Sequence, residues 1–312
     1  MSIFERVDFY GQLNHRESHD DTARGFFSLA ATFCSLWVVI TLAPLIGCAP
    51  SDTEMRPDQE VSGLSPTARP QTRSPVGALQ ISLGDIQRIC PVTLISSQIA
   101  LTAARCIQGI NTSAMRIYFE EAVDTNFPAI QVNAVLIHPL YMGVNSAIDG
   151  LLLEELRAGR DAALDEVISY DLAVLQLQEA SSAEQLSPVG ANLLPEAPGF
   201  SVNISTYELV GTPSLLARQV EDSVTVDGIY PTLIRLPLSP AARGFCTSGA
   251  GTPILAAVDG RPTVLAVGTL ASCEVGAGLY TRLDVHSAFI QDALAGAVRD
   301  REVYRIDREA GP

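Results

Sequence analysis

The chain has 312 residues, 47% of them hydrophobic, and a formal net charge of −15. Its length and apolar content allow one large or two modest domains with a sizeable core. The acidic balance, set against 20 basic residues that are all arginine, argues against nucleic acid or an anionic membrane surface as partner and is compatible with a basic protein.

Residues 1–25 are polar and mixed in charge, and residues 26–47 form a near-continuous apolar run. The run is long enough to cross a bilayer as a helix, although Pro44 disturbs its end. It closes on Leu45-Ile46-Gly47-Cys48, which resembles a bacterial lipoprotein signal, where the cysteine receives lipid and becomes the new N-terminus. Glu17, Asp20 and Asp21 make the lead more acidic than a signal usually is, which a start site assigned too far upstream accounts for. A lipidated Cys48 and an uncleaved transmembrane anchor both stay open, and the lipoprotein reading is preferred. Either places the remainder outside the cytoplasm, in a bacterial cell envelope. Cys34, inside the run, reads as an inert apolar residue. Residues 48–76 carry prolines at 50, 57, 66, 70 and 75 without apolar periodicity, and read as a disordered linker reaching on the order of 30 Å.

Twelve short apolar runs with turn residues between them follow. Six lie in the first half, at 78–83, 92–95, 99–103, 115–119, 130–138 and 171–177. Six lie in the second, at 200–207, 216–226, 232–238, 253–258, 263–270 and 278–283. Such spacing predicts an all-β barrel or sandwich and does not choose between them. One stretch breaks the pattern. From Asn145 to Ser169, Ile148, Leu152, Leu156, Ala163 and Val167 fall at near-helical intervals after a cap at Asn145 or Ser146. The opposite face carries Asp149, Glu154, Glu155, Asp161, Asp165 and Glu166, and is expected to be solvated, though it could also cover a cleft. A last helical pattern over 288–298 precedes a charged tail, 299–312.

The segment from Cys90 to Cys106 organises the rest: two apolar runs joined by Ser96-Ser97-Gln98 read as a hairpin with a cysteine at each end. It resembles, almost residue by residue, a hairpin of the trypsin-like serine proteases that closes in Leu-Thr-Ala-Ala-His-Cys. Tyr170-Asp171-Leu172-Ala173-Val174-Leu175 resembles the strand carrying that family's aspartate, and Gly278-Leu279-Tyr280-Thr281-Arg282 its Gly-Val-Tyr-Thr-Arg. The resemblance covers about 78–298. It implies two six-stranded antiparallel β-barrels, at about 77–180 and 195–285, with a helical insertion in the first and a C-terminal helix at about 287–298. It also implies the disulfides Cys90–Cys106 and Cys246–Cys273, which need an oxidising compartment.

The same resemblance marks the departures. Arg105 stands where the family carries its catalytic histidine, and an arginine stays protonated at working pH because its pKa exceeds about 12. Beside Asp171, in the acid position, Arg105 is expected to form a salt bridge that replaces the Asp–His pair. In Cys246-Thr247-Ser248-Gly249-Ala250-Gly251-Thr252-Pro253 the register puts Ala250 at the nucleophile and Ser248 and Ala250 at the oxyanion hole. Gly249 replaces the aspartate that pairs with a cleaved N-terminus. Ser248, two positions early, is the one outside candidate for a rebuilt nucleophile. Gly244, Gly268, Thr269 and Leu270 take the pocket positions, and Leu270 in place of glycine narrows the pocket. Past the linker the remaining histidines are His138, in a structural His-Pro, and His286, at the last helix; neither is a credible base. No phosphate loop, metal-spaced cluster or basic aromatic patch appears, so no cofactor or metal is expected. The reading is therefore a catalytically inactive trypsin-like homologue, tethered to the membrane by its N-terminal anchor, that binds an unknown protein or peptide. The alternatives are an active serine endopeptidase using Ser248 and an envelope scaffold without a specific ligand.

Overall fold

The computed structural model describes residues 73–84, 86–124, 127–144, 146–191, 193–210, 215–239, 243–247 and 249–297. The expected anchor with Cys34 and Cys48, nearly all of the linker, Asn145, Ser248 and the charged tail lie outside the described residues. No helix among the described residues is long and apolar enough to cross a membrane.

The first half closes into a barrel of six strands: β1 (Val76–Leu83), β2 (Ile86–Ser96), β3 (Ile99–Thr102), β4 (Met115–Tyr118), β6 (Ile130–Ile137) and β7 (Ala173–Leu177). Their order around the barrel is β1-β2-β3-β7-β6-β4, antiparallel at every step. β3 and β7 are buried along their whole length, so they read as continuous apolar runs rather than alternating ones. The expected hairpin is present, with β2 starting earlier, at Ile86.

The second half forms a sheet ordered β11-β12-β15-β14-β13-β9-β10-β5. It contains β9 (Ser201–Leu209), β10 (Leu215–Thr225), β12 (Leu233–Pro237), β13 (Pro253–Val258), β14 (Arg261–Ser272) and β15 (Ala277–Arg282), which match the six runs expected there. Among the described residues these strands form one sheet with no β10–β12 ladder that would mark it as a closed second barrel. Instead β11 (Gly228–Ile229) folds back on β12, pairing Gly228 with Arg235 and Ile229 with Ile234. The other end of the sheet takes β5 (Ala122–Asp124), a strand from the first half that pairs with β10. A two-residue strand, β8 (Ser187–Pro188), pairs parallel with β14.

Tyr207 ties the halves together. Its fully buried hydroxyl donates to the main-chain carbonyls of Val76 at 3.0 Å and Glu120 at 2.9 Å. Around it Val76, Ala78, Ile89, Tyr118 and Val123 pack with Ala217 of β10, so β1 is buried on both faces. The expected disulfides Cys90–Cys106 and Cys246–Cys273 are both formed.

Between β6 and β7 the chain forms two helices where one long pattern was expected, α2 (Ser146–Arg157) and α3 (Asp161–Ile168). Gly159, at φ +69°, lies at the break between them. α1 (Ala104–Ile107) is one turn after β3, and α4 (Arg243–Thr247) precedes β13. At the end α5 (Ser287–Asp292) runs into a wider turn over Ala293–Ala297, within which Gly296 has φ +107°; residue 298 lies outside the described residues.

Candidate functional site around Arg105 and Asp171

Asp171 follows α3 directly, its N–H bonded to the Ile168 carbonyl, and it opens the path into β7. Its side chain is fully buried, so every charge and lone pair there needs a partner. α1 supplies two: the Arg105 main-chain N–H donates to Oδ1 at 2.8 Å, and the guanidinium Nε donates to Oδ2. The Thr269 hydroxyl of β14 donates to the same Oδ2 at 2.6 Å.

The rest of the guanidinium is engaged as well. Nη1 reaches Asp149 Oδ1 in the first turn of α2 at 3.1 Å, and Nη2 reaches the Thr269 hydroxyl at 3.3 Å. Burial works against the Arg105 charge, but Asp171 and then Asp149 outweigh it and hold the group above its ordinary range. The expected Arg105–Asp171 pair is thus present, and it has grown into a network over α1, α2, β7 and β14. Asp149 was missed as a member because, by sequence, it belongs to a helix face expected to be solvated.

Ala250 is brought close too. Its carbonyl lies 3.4 Å from the Cys106 sulfur, next in chain to Arg105. Gly251, at φ +93°, packs so closely that a Cβ there would collide with the Pro91 carbonyl and crowd the Thr102 hydroxyl. The turn is pinned to β14, with Gly251 N–H donating to the Gly268 carbonyl at 2.8 Å and Gly268 N–H to the Thr252 carbonyl at 2.7 Å. Arg105 and Asp171 therefore pair directly, and the Ala250 carbonyl reaches the cysteine next in chain to Arg105. The guanidinium is a donor only, so what Arg105 supplies to Asp171 is charge pairing.

The pocket positions divide. Gly268 is enclosed by the 249–252 turn, where a Cβ would strike the Gly249 carbonyl. Thr269 belongs to the carboxylate network. Gly244 faces β9 and β10, with Val220 3.0 Å from where its Cβ would stand. Leu270 is 5% exposed and sits in an apolar cluster with Leu152 and Leu156 of α2, Leu164 and Ile168 of α3, and Leu233, Ala277 and Leu279 of the second sheet.

The expectation of a solvated acidic face is corrected here. Asp161 and Asp165 of α3 are buried. Asp161 Oδ2 accepts from the Tyr230 hydroxyl at 2.7 Å and from Arg235 at 2.6 Å. Asp165 Oδ1 accepts from Thr232 N–H at 2.9 Å and from its hydroxyl at 2.8 Å. Glu155, also buried, pairs with Arg160. Glu154 and Glu166 are exposed as expected. The apolar seam outweighs the outer ion pair: each fully buried leucine contributes about 1.5–3 kcal/mol, whereas a half-exposed pair such as Arg105–Asp149 contributes about 0–1 kcal/mol.

The two histidines lie together in a buried aromatic group. His138 stacks on Tyr170 at 4.9 Å, with His286 edge-on at 4.9 Å and Phe289 at 4.8 Å. His286 Nε2 lies 2.8 Å from the Ser169 carbonyl, which assigns it the N–H, and the Leu140 N–H donates to His138 Nδ1 at 3.3 Å. Burial, and then His286, lowers His138 from 6.5 to about 4. Burial lowers His286 too, with the Ser169 carbonyl opposing.

No group of three or more histidine, cysteine or acidic side chains suited to a metal occurs among the described residues. No curated protein matches the chain. A family model does: it covers residues 65–231, so it takes in Arg105 and Asp171 and ends before Cys246. With more than half of its length so matched, and with one closed six-stranded barrel and both disulfides formed, the chain belongs to the trypsin family.

Proposed function

We propose that the chain is a non-proteolytic trypsin-family protein, held outside the cytoplasm by its N-terminal segment, that works by binding a protein or peptide. One observation carries this reading: the guanidinium at the base position is committed through Nε, Nη1 and Nη2 to Asp171, Asp149 and Thr269. Serine-type chemistry needs a neutral base beside a hydroxyl, and Arg105 and Ala250 offer neither. Loss of triad members leaves at most a residual of roughly 10³–10⁴-fold over water from the oxyanion hole and binding. The tether rests on the apolar run ending at Cys48.

The test is labelling of the purified protein with a serine-directed fluorophosphonate, alongside incubation with a broad peptide library. The expected result is neither labelling nor cleavage. Labelling that disappears in Ser248→Ala would overturn the reading and make Ser248 the nucleophile of an active endopeptidase. For the tether, a fatty-acid analogue should be incorporated into the wild type and not into Cys48→Ala. An unlabelled mature chain that retains residues 1–47 would replace the lipid by a transmembrane anchor.

A further inference from the structure

We infer that α2 and α3 are a built-in plug on the second-sheet side of the cleft, permanently seated, rather than a lid that opens for a ligand. The inference rests on the binding reading above and sharpens it: a partner then docks outside the side-chain pocket that Leu270 and the helices fill.

Leu270, at the strand position assigned to the pocket, is closed over by Leu152 and Leu156 of one helix and Leu164 of the other. Beyond Val267, β14 pairs with β15 and no longer with β13. The helices bring their own apolar stripe to it, at i and i+4 in each: 152 and 156, then 164 and 168.

A lid must leave its seat cheaply; the ion pairs at the ends of α2 are exposed and weak, but the buried leucines of both helices and the buried carboxylates of α3 are not released without cost. α2 is fastened near its start, Asp149 to Arg105, and near its end, where Arg157 lies 3.0 Å from Glu274. α3 is fastened at its first residue, Asp161, to Tyr230 and Arg235, and mid-helix, Asp165, to Thr232. At its last turn the Thr281 hydroxyl reaches the Ile168 carbonyl at 3.5 Å. Asp161 and Asp165 are buried, so opening would strip their partners from carboxylates that are 2% and 8% exposed. Arg105 sets the register of the plug: the side chain that replaces a base spans from the buried acid to the first turn of α2.

Native-state hydrogen exchange of the full chain in detergent tests this. Amides of 146–168 should exchange less than about a hundredfold faster than those of β7, since a seated element opens only with its surroundings. Asp149→Asn should speed exchange in 146–157 by about two- to fivefold and leave 161–168 and β7 unchanged. Leu156→Ala with Leu164→Ala should speed both helices by at least about a hundredfold while β7 stays protected. Helices that exchange more than about a hundredfold faster than β7 in the wild type would make the pair a lid and overturn the inference. Should the double variant fail to fold, the wild-type comparison decides alone. Fluorophosphonate labelling of the same sample is independent of these rates, so failure of the plug and failure of the non-proteolytic reading give different results.

Discussion

The first barrel consumes its own edges, and the second sheet does not. In the barrel each strand has two partners from the same half, whereas the second sheet ends on β11 and on β5, a strand borrowed from the barrel half. The difference shows where added chain can settle. The insertion between β6 and β7 is helical, and it buries its apolar stripe on the neighbouring sheet, against Leu233, Leu270 and Leu279. The barrel closes its own ladder but shares the outer face of β1 with Tyr207 and Ala217, and the second half takes a helical cover from the first.

The largest expected effect lies at the link between the two regions. Arg105→Leu leaves the Asp171 carboxylate buried without its counter-charge and should cost about 3–5 kcal/mol, measured by urea unfolding. A cost below about 1 kcal/mol would mean that Asp171 finds other partners. Next comes the barrel's own staple: Cys90→Ala with Cys106→Ala should cost about 2–5 kcal/mol, and peptide mapping without reductant should recover Cys90–Cys106 and Cys246–Cys273 uncrossed from the wild type. Leu156→Ala, in the seam, should cost about 2–4 kcal/mol and loosen α2 and α3 more than β1–β3.

A smaller effect comes from the histidine group. His138 sits at about 4 in the folded chain and returns toward 6.5 on unfolding, so between those values the unfolded chain binds more protons. Its contribution is complete above pH 6.5 and is lost as pH falls toward 4, amounting to about 2 kcal/mol after allowance for solvent screening. His138→Phe should flatten that part of the profile; an unchanged slope would assign it to His286 or to carboxylates. Smallest is Asp149→Asn, at about 0–1 kcal/mol, because its carboxylate is half exposed.

Much of this was legible from residue order. The twelve apolar runs all became strands, because length and β-branched content suffice to mark them. β5, β8 and β11 were not, since two or three residues make no run, and their pairing is decided by which edges lie free after folding. Arg105 opposite Asp171 could be read from the motifs around each. The burial of Asp161 and Asp165 could not: by spacing they resemble a solvated helix face, and their partners Tyr230, Thr232 and Arg235 lie about seventy residues away. Asp149 was hidden for the same reason.

The central claim is that the base and acid positions have become one structural ion pair. A double-mutant cycle with Arg105→Leu and Asp171→Asn, followed by urea unfolding, measures it directly. The account predicts a coupling of about 2 kcal/mol or more, with the double variant less destabilised than the sum of the singles. Effects that add to within about 0.5 kcal/mol would contradict it, since Arg105 and Asp171 would then act independently.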